Sequence, residues 1–294
     1  MSGRCRAVAV LVACAITPAT ADPLGDTSVT AEAHFGLATV PFDVMALPEA
    51  KGQALVLVLG GAWSVAPSLA LEVRSPLVAA SVAQPAGSYV DAAAFGNPQL
   101  GAAMMLSRRP VGTGDLTILG GAAVGLPLGG HDEQLLANRA LAIANGIDGL
   151  AHPDLFTPGV GALTPRADVR WASSTWSAAL EARLPLLVRV SDAGLAGPQA
   201  ETHAFGLAAV LAGDVRHQLT RRLALAVAPQ LAIDARPIAA HPRDVSRLQD
   251  LERASLYIAI GRRTHLAVDV QGAIGGELGG SMVALGLRCG IDLR

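Results

Sequence analysis

Charged and aromatic residues are both scarce in this sequence. Of its 294 residues, 16% are charged and 3% are aromatic, whereas 51% are hydrophobic. A chain this apolar is not intrinsically disordered, because disorder requires low hydrophobicity. Soluble domains usually contain about 25% charged residues. The composition therefore raises the question of which solvent the protein surface faces.

The sequence also lacks an excess of positive charge and has little cysteine. Lys and Arg together number 22 against 24 Asp and Glu, which gives a formal net charge of −2. Proteins that bind nucleic acid carry a basic patch or stripe, so we expect no nucleic-acid partner. Two of the 3 cysteines, Cys5 and Cys14, lie near the N-terminus. This excludes a small secreted domain held together by disulfides.

Residues 1–21 have the pattern of a secretory signal peptide. Arg4 and Arg6 precede a short apolar run, and Ala19-Thr20-Ala21 forms a small-residue cleavage site. Cleavage there would leave residues 22–294 as a single exported domain.

Two other interpretations of this segment stay open. One is a membrane anchor, although the apolar run 7–16 is shorter than the roughly 20 residues that a spanning helix needs. The other is lipidation of Cys14, because Leu11-Val12-Ala13-Cys14 resembles a lipoprotein box.

Apolar and polar residues alternate with a period of two over much of the remaining chain. Between Trp176 and Val190 every even position is apolar, whereas the odd positions include Glu181, Arg183 and Arg189. Successive side chains of a strand point to opposite faces, so this pattern predicts strands with one apolar and one polar face. The same alternation predicts about twelve strands, at residues 29–37, 52–64, 68–78, 98–107, 115–126, 161–173, 176–190, 203–214, 221–235, 253–261, 264–273 and 281–293.

One stretch could instead be a spanning helix. Residues 52–71 contain no charge until the end of the segment, as a membrane helix would. However, Leu55, Leu57 and Leu59 are spaced by two and Pro67 lies near the far end. This spacing favours a hairpin that turns near Pro67.

The lengths of the predicted connections favour a membrane barrel. Long and short connections alternate along nearly the whole chain, as expected for long extracellular loops and short periplasmic turns. A soluble sandwich or lipocalin has no reason to sort its connections in this way, and it would bury its apolar face. The sequence therefore predicts an all-β, antiparallel, up-and-down transmembrane β-barrel of about 12 strands in the outer membrane of a Gram-negative cell.

Outer-membrane lipid and the barrel-assembly machinery are the expected partners of such a chain. Interface anchors would come from the few aromatic residues, which are Trp63, Trp171, Trp176, Tyr89 and Tyr257. The last residues have the spacing of an assembly signal, but Leu293-Arg294 stands where a final aromatic residue is usual.

The polar faces of the predicted strands supply the candidate lumen residues. These are Glu32, His34, Glu72, Arg74, Asp168, Arg170, Glu181, Arg183, Arg189, Asp234, His265, Asp269, Arg288 and Asp292. Because both signs of charge occur, they could form ion pairs that brace the wall or line a path that selects solutes. We expect no catalytic residue, metal or cofactor among them.

The longest connection, residues 127–160, contains a predicted helix over 132–145. Asp132 could cap its first turn and Gly146 could end it. The helix could lie on the extracellular surface, or it could fold inward and plug the lumen. Asn145, Asp148, His152 and Asp154 in this loop have no recognised metal-ligand spacing, which favours a solvated loop.

Enzymatic activity is the weaker alternative. Some outer-membrane barrels hydrolyse lipid with a Ser and a His on the outer wall, and such a nucleophile needs its base within hydrogen-bond reach. His34, His203, His217 and His265 lack a Ser two residues away. A β-protein that binds a lipid-like ligand without transporting it is a further alternative.

Two short motifs resemble a known family. The first is Ala62-Trp63-Ser64-Val65-Ala66-Pro67-Ser68-Leu69-Ala70-Leu71 with Val73-x-x-Pro76-Leu77, and the second is Phe95-Gly96-Asn97-Pro98-Gln99-Leu100-Gly101-Ala102. Both are similar to motifs of the transporter-like outer-membrane barrels of the phenol-degradation meta-pathway family, which usually has Gly-Asp in place of Gly96-Asn97. The resemblance implies an outer-membrane channel or uptake porin for small solutes, including hydrophobic or aromatic ones, and brings no residue-level site.

Overall fold

The structure is a computed structural model. It describes residues 27–40, 50–84, 87–129, 135–148, 152–191, 201–236, 239–240, 248–260, 264–276 and 282–292. The predicted signal peptide and its alternatives lie outside the described residues.

Sixteen strands and two helices make up the described chain. Their bounds are β1 Ser28–Val40, β2 Ala50–Ala66, β3 Leu69–Ala83, β4 Tyr89–Phe95, β5 Gln99–Val111, β6 Gly114–Gly125, α1 Leu135–Ile147, α2 Pro153–Phe156, β7 Val160–Ala172, β8 Trp176–Arg183, β9 Leu186–Arg189, β10 Glu201–Thr202, β11 Phe205–Gln218, β12 Leu223–Arg236, β13 Ala239–Ala240, β14 Leu248–Ala259, β15 Thr264–Gly276 and β16 Met282–Asp292. In this part of the chain, neither helix is long and apolar enough to span a membrane.

The large sheet is a closed antiparallel β-barrel. Successive positions around the barrel pair antiparallel, and β1 closes the barrel by pairing with β16, with Ala33 opposite Leu287. The twelve-stranded barrel that the sequence predicts is thus confirmed. The short strands β10 and β13 form a separate two-stranded sheet.

Two of the twelve barrel positions are each occupied by two short strands. β4 pairs with the last part of β3 and β5 with its first part, so Gly96, Asn97 and Pro98 interrupt a single barrel position. Likewise, β8 and β9 both pair with β7 and β11 on either side of Leu184-Pro185. Each interruption contains a proline, which cannot donate to the ladder.

The two faces of the strands lie where the alternation predicts. Val29, Phe35 and Leu37 of β1 are exposed on the outside, whereas His34 is buried inside. The hairpin alternative for residues 52–71 is also correct, because Leu55 and Leu59 are exposed on β2 and the chain turns between Ala66 and Leu69. The apolar outer face supplies the surface that lipid would cover.

Short and long connections alternate around the barrel as predicted. The connections after β2, β5, β7, β11 and β14 are short and share one end of the barrel, here called the turn end. The others, with the one that carries α1 and α2, lie at the opposite end, here called the loop end.

The strand prediction missed β4. Its residues 92–94 are three alanines, which show no alternation between apolar and polar types. The chain covers its barrel position only because β4 and β5 follow one another along β3.

Candidate channel lumen

The longest loop folds into the barrel. α1 packs against the inner faces of β1, β2, β3 and β4, and Leu141, Ile143 and Ile147 have no exposed surface. Of the two placements that the sequence allowed, the structure therefore has the inward one. The helix also runs beyond the predicted stop at Gly146 and ends at Ile147.

Small and branched residues of the wall make room for the helix. Val56, Val78 and Val82 form one buried cluster with α1. At Gly52, a Cβ would lie 3.0 Å from Ile143 Cδ1, so the helix approaches the β2 backbone closely. The loop-end half of the lumen is thus filled by an apolar core, and we call α1 with α2 the plug.

The plug also buries polar groups. Asn138 and Asn145 are fully buried on α1, and neither the Nδ2 nor the Oδ1 atom of Asn145 has a hydrogen-bond partner among the described residues. Unsatisfied buried polar groups cost free energy. The docking of this helix is therefore weaker than its apolar contacts alone would make it.

Side chains of the opposite wall bind the C-terminal end of α1. Gln271 Nε2 donates to the Ile147 carbonyl oxygen at 2.7 Å, and Gln230 Nε2 donates to that of Asp148 at 3.4 Å. The last carbonyls of a helix lack partners within the helix, so these amides act as its cap. They also tie the plug to β12 and β15, across the lumen from β2 and β3.

His152 connects the plug to the wall by a second route. Its Nδ1 donates to Asp148 Oδ2 at 2.5 Å, and its Nε2 accepts from Arg74 Nη1 of β3 at 3.2 Å. Burial would raise the pKa of Asp148, but His152 lowers it more, through its charge and its hydrogen bond, and the pKa lies below the ordinary value of 3.8.

Asn97 fastens the base of the plug. It is fully buried in the interruption between β4 and β5. Its Nδ2 donates to the carbonyl oxygens of Thr157 and Val160 at 2.8 and 3.0 Å, and its Oδ1 accepts from Gly129 N at 2.8 Å. Its backbone N–H donates to the Leu155 carbonyl oxygen at 2.7 Å. One residue thus joins both ends of the plug loop to the wall.

The turn-end half of the lumen is polar. Arg288 binds Asp269 through two contacts of 2.6 and 2.8 Å, and donates to Ser255 Oγ and Tyr257 Oη, each at 3.0 Å. Arg216 lies over the Tyr257 ring, 3.8 Å from its centroid, at the distance of a cation–π contact.

A second group of charges lies along β3, β7 and β8. Arg166 binds Glu72 at 2.6 Å, and Arg183 Nε lies 3.0 Å from Glu181 Oε1. Asp154 of α2 accepts a hydrogen bond from Thr164 Oγ1 at 2.7 Å. These contacts surround a small cavity beneath α2, lined also by Arg74 and Gln99.

The structure brings many of the predicted lumen residues together in ion pairs or hydrogen bonds. Arg74 contacts His152, His34 contacts Gln271 at 3.2 Å, and Arg170 contacts Asp168 at 3.2 Å. Glu72, Glu181, Arg183, Asp269 and Arg288 take part in the pairs described above. Glu32, Arg189, Asp234 and His265 lie on the inner face of their strands, whereas the side chain of Asp292 lies outside the described residues.

The loop cluster was predicted wrongly as solvated. Asn145 and Asp154 are buried, with at most 1% exposure, and Asp148 and His152 bind each other inside the barrel. The reason is the inward fold of the loop, which local sequence does not encode. The described residues contain no group of three or more His, Cys, Asp or Glu placed to hold a metal.

Several lumen residues were missed by the sequence analysis. Even-numbered residues of β7 and β11 face the lumen, and these include Arg166 and Arg216. Odd-numbered residues of β14 face the lumen, and these include Arg253. The alternation of the sequence therefore predicts all three as lumen residues. Gln271 lies on the same inward face of β15 as His265 and Asp269, whereas Asn97 is recognisable only from its contacts with the plug.

The tryptophans lie at the turn end, as expected for interface anchors. Trp63 and Trp176 are exposed near the turns, and Trp176 stacks on His217 with ring centroids 4.2 Å apart. Trp171 Nε1 donates to the Val111 carbonyl oxygen at 3.1 Å. Tyr257 was predicted wrongly, because it points inward and binds Arg288.

No family model matches the sequence, and no curated protein matches it either. Solved structures are similar in fold. An outer-membrane channel from Pseudomonas putida F1 has a TM-score of 0.62 at 15% identity, over 94% of this chain and 99% of that one. The fold is that of outer-membrane barrels.

Two porins have the same architecture. The NanC porin has a TM-score of 0.53 at 7% identity, over 90% of this chain and 99% of that one. The KdgM porin, in complex with disordered oligogalacturonate, has a TM-score of 0.50 at 8% identity, over 91% and 99%. At such identities the likeness shows the fold alone.

Proposed function

We propose that this chain is an outer-membrane channel that takes up small solutes through a plugged lumen. The observation that carries the proposal is the inward-folded plug. A separate loop element fills the loop-end half of the barrel, and paired charges line the turn-end half. A barrel that served only as a scaffold would need neither.

The plug is held in a way that allows it to be displaced from the lumen. Its apolar side packs on β1–β4, and its C-terminal end makes polar contacts with Gln271 of β15 and Gln230 of β12. The unpaired amide of Asn145 weakens the docking further. Displacing this C-terminal end would connect the outside with the polar half of the lumen.

The solutes are small and include hydrophobic or aromatic compounds. This part of the proposal rests on the motif resemblance around Trp63 and Asn97 and on the valines that line the inner wall beside α1. The solutes, outer-membrane lipid and the barrel-assembly machinery are the proposed partners, and the proposed location is the outer membrane after export.

Deletion of residues 135–147 tests the proposed channel. We expect the refolded wild-type barrel to show low conductance in planar bilayers, and the deletion variant to show a severalfold higher one because the stopper is gone. Heat-dependent gel migration of both proteins checks that each is a folded barrel. Unchanged conductance in a folded deletion variant would contradict the proposal.

The contacts of His34, His152 and His217 do not favour the lipid-hydrolase alternative. The described rings of His34, His152 and His217 are engaged by Gln271, by Asp148 and Arg74, and by Trp176. Release of fatty acid from phospholipid by a non-conducting barrel would support that alternative.

A further inference from the structure

An open apolar groove lies on the outer wall of the barrel, over β2, β3 and β4. It has a volume of about 450 Å³, and its lining includes Leu55, Leu57, Leu77, Ala79, Ala93 and Phe95. Ala79 lies opposite Leu55 on one side and Ala93 on the other, so two small side chains lie between larger ones. A cavity of about 150 Å³ accommodates one benzene molecule, so this groove has room for a hydrocarbon chain.

A row of polar side chains lies next to the groove, on the side of the loop end. In the strand register, Gln53 of β2 is opposite Ser81 of β3, which is opposite Asp91 of β4. This row lies two residues nearer the loop end than the alanines of the groove and therefore on the same, outer face. Lys51, the only lysine of the sequence, follows two residues beyond Gln53 and is exposed.

The spacing along β2 places this polar row at a membrane interface. Trp63 is exposed at the turn end of β2, and Gln53 lies ten residues from it on the same face. A transmembrane strand contains about 9–11 residues, and tryptophans are enriched at membrane interfaces. With Trp63 at the interface of the turn end, the polar row lies among the headgroups of the opposite leaflet. The groove then lies among the acyl chains of that same leaflet.

The polar row has the chemistry of a site for a large headgroup. Lys51 supplies a cation, which binds phosphate as a point charge. The carboxylate of Asp91 accepts hydrogen bonds from hydroxyl groups, and the side chains of Gln53 and Ser81 can donate or accept them. Neighbouring strands lie about 4.8 Å apart, so a headgroup must extend over about 10 Å to reach from β2 to β4. A single phosphate is too small for this, whereas a phosphorylated sugar is large enough.

We propose that this outer surface binds one molecule of a phosphorylated glycolipid of the leaflet at the loop end. An acyl chain lies in the groove over Ala79 and Ala93, the phosphate contacts Lys51, and sugar hydroxyl groups contact Ser81 and Asp91. The inference rests on the proposed outer-membrane location and does not depend on the transport of a solute. It assigns a lipid site to the outside of the barrel wall, separate from the lumen.

Native mass spectrometry of the full chain in detergent micelles tests this site. The protein is titrated with lipid A, a phosphorylated glucosamine disaccharide with several acyl chains, and the fraction that retains one lipid molecule is measured. We expect about fivefold weaker binding in Lys51→Met, because the phosphate loses its cation. Binding to Ala93→Phe should be weakened as much or more, because the larger side chain fills the groove.

Dephosphorylated lipid A tests the contact between the phosphate and Lys51. It should bind the wild type as weakly as lipid A binds Lys51→Met, and it should bind the two proteins equally. Equal binding of lipid A and its dephosphorylated form by the wild type would exclude the phosphate contact.

Matched variants separate the site from general effects. Arg236→Met removes an exposed cation at the loop end of β12, and Ala254→Phe enlarges an exposed alanine on the outer face of β14. Both should bind lipid A as the wild type does. Heat-dependent gel migration checks that every variant is a folded barrel.

The remaining outcomes distinguish this site from the proposed channel. Undiminished lipid A binding by a folded Ala93→Phe variant would mean that lipid covers the wall without a defined site, which overturns the proposal. Specific binding of lipid A by a barrel that does not conduct in planar bilayers would support the lipid site and contradict the channel.

Discussion

Asn97 shows how one side chain can decide the position of a whole loop. Its amide uses two N–H donors and one oxygen acceptor on the plug loop, while its backbone binds α2. A carboxylate could accept from Gly129 but could not donate to Thr157 or Val160. This explains why Asn suits this chain at a position where the resembling family usually has Asp.

Replacing Asn97 by Asp should loosen the plug without unfolding the barrel. Two buried carbonyls would lose their donor and face a negative charge, at a cost of about 1–3 kcal/mol for each unsatisfied group. We expect higher conductance and faster hydrogen exchange in residues 153–160, with unchanged gel migration. If hydrogen exchange in this segment matches that of the wild type, the inference that Asn97 holds the plug loop against the wall is wrong.

At the scale of elements, the interruption between β4 and β5 allows the plug to contact the barrel wall. Between β4 and β5 the chain leaves the ladder, and a Cβ at Gly96 would lie 2.5 Å from the Leu155 carbonyl oxygen. Glycine is thus required for α2 to approach the wall. The break costs ladder hydrogen bonds, and the bonds of Asn97 with the plug loop replace part of them.

The contact between Asp148 and His152 predicts that acid loosens the plug. The pKa of Asp148 is lowered in the docked state, so its contribution to docking is present above the ordinary pKa of aspartate and is lost as the pH falls through the lowered one. We expect wild-type conductance to be the same at pH 7 and pH 5 and to rise only as the pH falls below the ordinary aspartate pKa of 3.8.

The variant Asp148→Asn isolates this group. It should conduct more than the wild type already at pH 7 and respond less to acid. Asp115→Asn, whose carboxylate is 48% exposed at a turn, should behave as the wild type does. Identical pH profiles for Asp148→Asn and the wild type would exclude Asp148 as the group that acid releases.

At the scale of the whole molecule, the barrel has an apolar outside and a charged inside. Leucine, valine and isoleucine cover the outer face, whereas most of the inward charges are paired across or along strands. This distribution accounts for the low charge content, since few charged residues are needed to line a narrow lumen. The scarce tryptophans are concentrated at the turn end.

A charged residue on the apolar outer face should destabilise the membrane-inserted barrel. Leu287 is exposed midway along β16, and Leu287→Arg should cost about 2–4 kcal/mol at the membrane midplane. Leu248→Arg, at the loop end of β14, should cost much less because it lies near the interface. Urea unfolding of both variants in lipid measures the difference, and equal midpoints would contradict the membrane placement.

Strand existence and strand faces were predictable because they depend on local alternation. The outer residues of β1, β12 and β16 follow the alternation over their whole length. Arg166, Arg216 and Arg253 also lie on the inward face that the alternation predicts. β4 was not predictable, since three consecutive alanines suit either face. Its position depends on its pairing with the last part of β3.

The amino-acid sequence alone determined the barrel class, its alternating faces and its pattern of long and short connections, because each can be read from the local alternation of residues and the spacing of the strands. Only the tertiary structure decided that the longest loop folds inward. That choice depends on Asn97, Gln271 and Arg74, which lie far from the loop in sequence and meet it only when the barrel closes. The small cavity beneath α2 exists for the same reason, since six separate segments of the chain line it.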